Sequence, residues 1–349
     1  MLSCLLLPQG IATSAAQDDA THLRVNVVLV QLNIAVTDDK GNYVTGLRPQ
    51  DFSIAEDKIG QKISTFEESS ESGHSPMEVA RKDDNAAAPN ADGSSGATDQ
   101  AGIMISHLAE ANVFVLFDTS NYMYRSFVYA QDAIADFIRS MDTASKLAFY
   151  SYSRNLSRMT PLTTDQYRIV NGVRSTVAGD DAALYNSLLL TVKDAVPLKG
   201  RKAIVVFSNG PDNASSVPPE DVAELAQSTG TIIYIISTRQ AQDDPVSAAA
   251  FERVSKASGG KAYFAKNWRQ ERQAFASIRE DLVHLYTISY YPQSNPNRGW
   301  RSIKVKLVGK DLQKYHIRTR DGYRLLPATA SPNNTAEEDA APKSDSRPN

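Results

Sequence analysis

Val113-Phe114-Val115-Leu116-Phe117-Asp118-Thr119-Ser120-Asn121-Tyr122 is the stretch on which the fold turns. Five apolar residues run without a break into an aspartate and a serine. An unbroken apolar run closed by polar turn residues reads as a strand buried on both faces. In an open α/β sheet, ligands bind just beyond the carboxyl ends of such strands. Asp118 and Ser120 fall at that end.

Downstream, strands and helices alternate. Phe127, Ala130, Ile134, Phe137 and Met141 recur at helical spacing. Lys146–Tyr152 reads as the next strand, and the piece holding Leu156 and Met159 as an edge strand. Helices are expected around Tyr167–Val173 and Leu184–Val192. Then come strand Ala203–Phe207, helix Pro219–Ser228, strand Ile232–Ile236 and helix Val246–Ala257, which stops at Gly259-Gly260. Strand Ala262–Phe264 and helix Arg269–Leu285 complete the run. The alternation implies a doubly wound, mostly parallel α/β sheet covered on both faces.

Both flanks read as β. Between Val25 and Thr37 alternate residues are almost wholly apolar: Val28, Val30, Leu32, Ile34 and Val36. That pattern buries one face of a long strand. Shorter strands follow a turn at Asp38–Asn42, at Tyr43–Thr45, Asp51–Glu56 and Gln61–Phe66. After the α/β run come Tyr286–Tyr291, Arg301–Leu307, Tyr315–Arg320 and Tyr323–Leu325. Lys304 and Lys306 alternate with Ile303, Val305 and Leu307, a half-exposed strand. Two arrangements suit these flanks. They form one β-sandwich into which the α/β run is inserted, or two separate β appendages.

The organisation read from the chain is a signal or disordered segment at 1–21 and a β segment at 22–67. A flexible linker follows at 68–109, then the α/β domain at 110–285. A second β segment at 286–326 and a polar tail at 327–349 complete it. The 349 residues suffice for one large domain and a smaller one. With 37 basic and 40 acidic residues the formal charge is −3, so no global attraction to nucleic acid is expected. Cys4 is the sole cysteine, which excludes a disulfide framework and a cysteine zinc site. No stretch reaches the ~20 apolar residues that span a bilayer. Small residues Ser14-Ala15-Ala16 before Gln17 suit signal cleavage, so export to the periplasm or outside is expected.

The α/β run resembles the von Willebrand factor type A domain. The likeness rests on Asp118-Thr119-Ser120 at the strand end, Ala183-Leu184-Tyr185 at a helix start, and Val205–Gly210. With Val44–Leu47, Asp51-Phe52 and Tyr290-Tyr291-Pro292, the whole chain resembles the bacterial VWFA-related proteins found in acidobacteria. The resemblance implies a Rossmann-like sheet with one antiparallel edge and a metal-ion-dependent adhesion site. That motif is Asp-x-Ser-x-Ser after the first strand, a threonine before a later helix, and an aspartate after a further strand. A hard ion such as Mg²⁺ or Mn²⁺ takes near-octahedral oxygen ligands there and leaves a position for a partner's acidic side chain.

This chain departs from the motif at three positions. Asp118 and Ser120 match, but Tyr122 stands at the second serine, Ala182 at the threonine and Asn209 at the last aspartate. The site the resemblance implies is therefore degraded: Asp118, Ser120 and Asn209, with Asp181 or Asp180 as the carboxylate that could compensate. Each residue also has a plain reading. Asp118 suits a carboxylate accepting backbone N–H groups at a strand–helix turn, Ser120 a cap hydroxyl, and Asn209-Gly210 a turn. Tyr122, Tyr124 and Asp180 lie on the expected upper rim, where they form a partner-binding surface or pack.

The function expected is a non-enzymatic, adhesion-type module that binds a protein partner through this rim. A metal-independent structural or assembly subunit of the cell envelope is the first alternative. A metal-dependent hydrolase is the second. Against the hydrolase, Ser120 occupies the place of the second acid in Asp-x-Asp, and no glycine-rich phosphate loop occurs.

Overall fold

A computed structural model describes residues 29–69, 111–141, 145–238 and 244–325. The expectations for 1–21, for nearly all of the linker and for the tail lie outside these residues. Strand β5 (Ala111–Asp118) is buried at every position and pairs in parallel with β6 (Lys146–Tyr152) and β8 (Arg201–Ser208). Among the described residues its sheet has six strands in the order β10-β9-β8-β5-β6-β7. Here β7 is Leu156–Thr163, β9 is Thr231–Ser237 and β10 is Ala262–Phe264. Only β7, at the edge, runs antiparallel, against β6.

The unbroken apolar run of β5 is explained by its two covers. Val113, Val115 and Phe117 pack with Ile134 and Phe137 of α1 (Phe127–Ser140), Ile169 of α2 (Gln166–Arg174) and Phe275 of α6 (Trp268–Val283). Phe114 and Leu116 meet the other layer. It holds Leu188 of α3 (Leu184–Ala195), Val222 of α4 (Pro219–Thr229) and Phe251 of α5 (Pro245–Ser258). Each such apolar side chain removed from water contributes about 1.5–3 kcal/mol. The helix ends are written locally. Asp165 accepts from Arg168 N, and Asn267 from Arg269 N and Gln270 N. Gly259 ends α5 at φ 84°, a left-handed position that favours glycine.

The β flanks interleave. One antiparallel sheet has the order β13-β1-β11-β4 and the other β14-β12-β2-β3. From the N-terminal flank come β1 (Val30–Thr37), β2 (Phe52–Glu56), β3 (Ile59–Gln61) and β4 (Ile63–Glu68). From the C-terminal flank come β11 (Tyr286–Tyr290), β12 (Trp300–Leu307), β13 (His316–Arg318) and β14 (Gly322–Arg324). Strand β11 sits between β1 and β4, and β12 pairs with β2. A single core joins the two sheets through Leu32, Ile34, Phe52, Phe66, Ile288 and Ile303. Of the two arrangements open from the sequence, the shared sandwich is the one found. Glu68, read as the start of the linker, closes β4. The other face of β1 is buried too, because Ala35 packs into the α/β core.

The sandwich sits at the base of the α/β unit, away from the carboxyl end of β5. The joint carries charge. Asp281 of α6 is buried and accepts from Tyr43 OH at 2.9 Å, Tyr234 OH at 2.5 Å and the Arg318 guanidinium. Burial and the neighbouring Asp281 hold the Tyr234 phenol well above its usual range. Arg320 is buried beside it, donating to the carbonyls of Gln31 at 2.9 Å and Gln227. Burial pulls its guanidinium down to about 10. Inside the sandwich, Glu56 is fully enclosed and takes Arg301 at 2.9 Å, Tyr290 OH at 2.9 Å and Tyr323 OH at 3.0 Å.

Candidate functional site at the upper rim

Four loops meet at the carboxyl edge of the central sheet, the place where an open α/β sheet presents its ligands. The first leaves β5 as Thr119-Ser120 and winds into a 3-10 turn, Asn121–Ser126, before α1. The second, residues 175–183, leads into α3. The third leaves β8 as Asn209-Gly210, and the fourth leaves β9 as Thr238. Backbone bonds lace the first two together. Gly179 N donates to Thr119 O at 2.6 Å and Asn121 N to Asp180 O at 2.8 Å.

Asp118 is completely buried. Its Oδ1 accepts from Ser120 N at 2.9 Å. Its Oδ2 accepts from Ser208 Oγ at 2.8 Å and Asn209 N at 3.4 Å. Tyr152 OH donates to the same Ser208 hydroxyl at 3.0 Å, so tyrosine, serine and aspartate form a relay. Burial raises the Asp118 carboxyl above its ordinary range, against the pull of the bonds from Ser120, Ser208 and Asn209. The plain reading of Asp118, a carboxylate gathering N–H and O–H donors at a strand–helix turn, describes these contacts.

The other site residues separate. Ser120 is buried beside Asp118, and its Oγ makes no hydrogen bond. Asn209 is buried, with Nδ2 donating to Tyr122 O and Oδ1 accepting from Thr238 Oγ1. The Asp181 carboxylate is engaged elsewhere, between the Arg154 guanidinium and Asn213 Nδ2 at 3.2 Å. Arg154 holds that carboxyl below its usual value. Ala182, at the threonine position, is buried and donates its N–H to Asn213 Oδ1 at 2.8 Å.

A divalent cation needs about six oxygens, several of them charged or from water. Here both oxygens of the one central carboxylate already accept protein hydrogen bonds, and the Asn209 carbonyl oxygen faces Thr238. Ser120 Oγ is the one unpartnered oxygen among these side chains. Among the described residues no three His, Cys, Asp or Glu side chains gather into a set that could hold a metal. As arranged, these residues do not fit a divalent ion.

On the outside of the same loops the surface is aromatic. Tyr122 is 38% exposed and Tyr124 75% exposed, on the turn before α1. Val128 and Tyr129 follow, exposed, at the start of α1. Gln131, one turn below Val128, donates to Val173 O and Thr176 Oγ1, both at 2.9 Å. That contact brings the exposed Val177 towards the same end of α1. Asp180 is exposed nearby. The nearby charges Arg154–Asp181 and Arg174–Asp132 are already paired. Beside Tyr122, Tyr124 and Asp180, the rim also exposes Val128, Tyr129 and Val177, which the sequence pattern alone does not single out. Two of them, 128 and 129, do lie off the stripe formed by Ala130, Ile134 and Phe137.

Residues 112–278 match the von Willebrand factor type A domain family. Among solved structures, the chain is similar to the conserved hypothetical protein BatB from Bacteroides thetaiotaomicron. The identity is 14%, covering 49% of this chain and 97% of that one, with a TM-score of 0.43. It is similar to the vWF domain of the type V pili tip protein Mfa5 from Porphyromonas gingivalis at 11% identity, 49% and 94% coverage and a TM-score of 0.43. It is also similar to proximal thread matrix protein 1 from the mussel byssus, with a zinc-occupied MIDAS motif. There the identity is 15%, the coverage 50% and 48%, and the TM-score 0.44. No curated protein matches this chain.

Proposed function

With residues 112–278 belonging to the von Willebrand factor type A family, we propose that this chain is a non-enzymatic module that binds a protein partner through the upper rim. The observation that carries the proposal is the exposed set Tyr122, Tyr124, Val128, Tyr129 and Val177, placed where an α/β sheet presents its ligand site. Tyrosine supplies large, stiff, amphipathic contact area and is enriched at the centres of protein interfaces. The rim meets its partner outside the cytoplasm, as the small residues before Gln17 suggest. Asp118, Ser120, Asn209 and Asp181 are then the remains of an ion site, kept for loop geometry. The complete burial of Asp118 speaks against a phosphoryl-transfer nucleophile, which has to touch its substrate.

A structural or assembly role in the cell envelope is the second reading. The charged joint between sandwich and α/β unit favours it, because it fixes the rim on a rigid base.

The test is capture from the envelope fraction of the source organism by the full chain, with chelator and without. The comparison is a variant carrying Tyr124→Ser and Tyr129→Ser. A partner held by the parent chain in both conditions and lost by the variant is the expected result. Equal capture by both chains, or none by either, would remove the rim from consideration.

A further inference from the structure

We infer that the Asn209 side chain is a hydrogen-bonded strut that fixes the rim loops where the family resemblance would place an ion-binding acid, so that the rim holds its shape without a divalent cation. Asn209 is 3% exposed. Its Nδ2 donates to Tyr122 O, in the turn after β5. Its Oδ1 accepts from Thr238 Oγ1, beyond β9. Its own N–H reaches Asp118 Oδ2 at 3.4 Å. One side chain on the β8 loop therefore ties together the ends of three neighbouring strands.

The amide is chemically necessary for this. A carboxylate at 209 has no proton to give Tyr122 O. It would face that carbonyl oxygen across a buried gap, and a buried polar group left unpaired or opposed is costly. Asparagine therefore satisfies this geometry, and the acid of the motif would weaken it.

The neighbouring loops are stitched in the same way. Asn213 Oδ1 takes Ala182 N at 2.8 Å, and Asn213 N donates to Ala182 O at 3.0 Å. Asp212 takes Tyr185 N at 3.0 Å and Ser215 N at 2.9 Å, at the amino end of α3, where a carboxylate is favoured. Asn186 Oδ1 takes Ser216 N and Val217 N, both at 3.1 Å. The loops before α3 and after β8 are thus held by amide and carboxylate oxygens accepting backbone N–H groups. Where the motif asks for oxygens, Ala182 offers none from its side chain, and the Tyr122 side chain is partly exposed to solvent. For binding, which rests on the rim reading above, the consequence is that no ion bridges the rim to a carboxylate of the partner. The strut itself is independent of that reading, and its test needs no partner.

Thermal melts of the full chain, with MgCl₂, MnCl₂ or EDTA, give the test, together with amide exchange at Tyr122-Met123 and Thr238. The parent chain is expected to melt within about 1 °C in all three conditions, as a protein that binds none of the additives does. Asn209→Asp is expected to lower the melting temperature by roughly 3–8 °C, to speed exchange at Tyr122-Met123 and Thr238 and not at the base, and to gain nothing from either metal. Thr238→Val removes one of the strut's bonds without adding charge, and serves if Asn209→Asp does not fold. It is expected to produce the same exchange pattern at smaller amplitude. Stabilisation of the parent chain by Mg²⁺ or Mn²⁺, or rescue of Asn209→Asp by either, would overturn the inference. So would an Asn209→Asp chain as stable as the parent, or a Thr238→Val chain with unchanged exchange.

Discussion

The rim and the base of the α/β unit are fastened by different chemistry. At the rim, Asn209, Asn213 and Asn186 join loops through amides and backbone groups, and the nearby ion pairs lie at the surface. At the base, Asp281 and Arg320 are buried, and Arg318, partly exposed, closes on Asp281 between sandwich and sheet. The difference bears on tolerance. A buried charge that loses its partner is among the costliest defects a fold can carry. A neutral amide hydrogen bond that is lost costs only its net worth plus the desolvation of what it leaves behind. The base is therefore where the architecture is least free to change, and the exposed outer surface of the rim is where side chains can vary while the frame survives.

The sharpest way to break this contrast is at the base. Arg318→Met leaves the Asp281 carboxylate buried with, among the described residues, the Tyr43 and Tyr234 hydroxyls. The expected loss is about 3–5 kcal/mol in urea unfolding, with Asp281→Leu added to Arg318→Met recovering much of it. Should Arg318→Met cost less than Asn209→Ala, the contrast is wrong. Next comes Asp118→Ala, which strands the donors Ser120 N, Ser208 Oγ and Asn209 N. Roughly 1–3 kcal/mol is expected, the same in Mg²⁺ and in EDTA.

A pH profile sharpens the contrast from the base side. Lys202 lies near the start of β8, and burial together with the Arg320 charge pulls it from 10.5 down to about 8. Between those values the unfolded chain holds the proton and the folded chain has released it, so stability rises with pH across that window. Below about 8 the folded chain bears the buried charge in full. Lys202→Met is expected to be more stable than the parent at pH 7, by on the order of 1–2 kcal/mol, and to flatten the rise. A parent profile that is flat or falling from pH 8 to 10.5 would contradict this assignment. The smallest effect belongs to the rim surface. Tyr124→Ser should move stability by no more than about 0.5 kcal/mol, as exposed substitutions do. A larger loss in denaturant unfolding would mean that the tyrosine packs in the fold.

The elements of the α/β unit were legible because each signal is local. The run Val113–Phe117 announces a strand covered twice, and the spacing of Ala130, Ile134 and Phe137 announces its helix. Strand β6 falls at Lys146–Tyr152 and β10 at Ala262–Phe264, as read. The spacing from Tyr167 to Val173 marks a helix, and within it Ile169 and Val173 are buried while Tyr167 is exposed. The pairing of flanking strands was not legible, since alternation says which face of β1 is buried and not which strand lies beside it. The charged joint went unseen for a related reason. Asp281 looks like any acid near the end of a helix until Arg318 and Tyr43, distant in sequence, close on it. Asn209 was visible as a substitution in a motif, but its partners, Tyr122 O and Thr238 Oγ1, come from two other loops.

The interleaved sandwich also sets an order of events during synthesis. Chains emerge and fold from the amino terminus. Strands β1 and β4 must wait for β11, which lies between them, and β2 must wait for β12. Until then they present unpaired edges, the kind of surface on which nascent chains misassociate. The α/β unit has no such dependence, because all six of its sheet strands lie in one continuous stretch. Ser69 N donates to Leu285 O at 3.0 Å, at the seam where β4 and β11 align. An inserted unit that folds on its own shortens the span of free chain between the two flanks, and so lowers the loop-closure entropy that the sandwich would otherwise face.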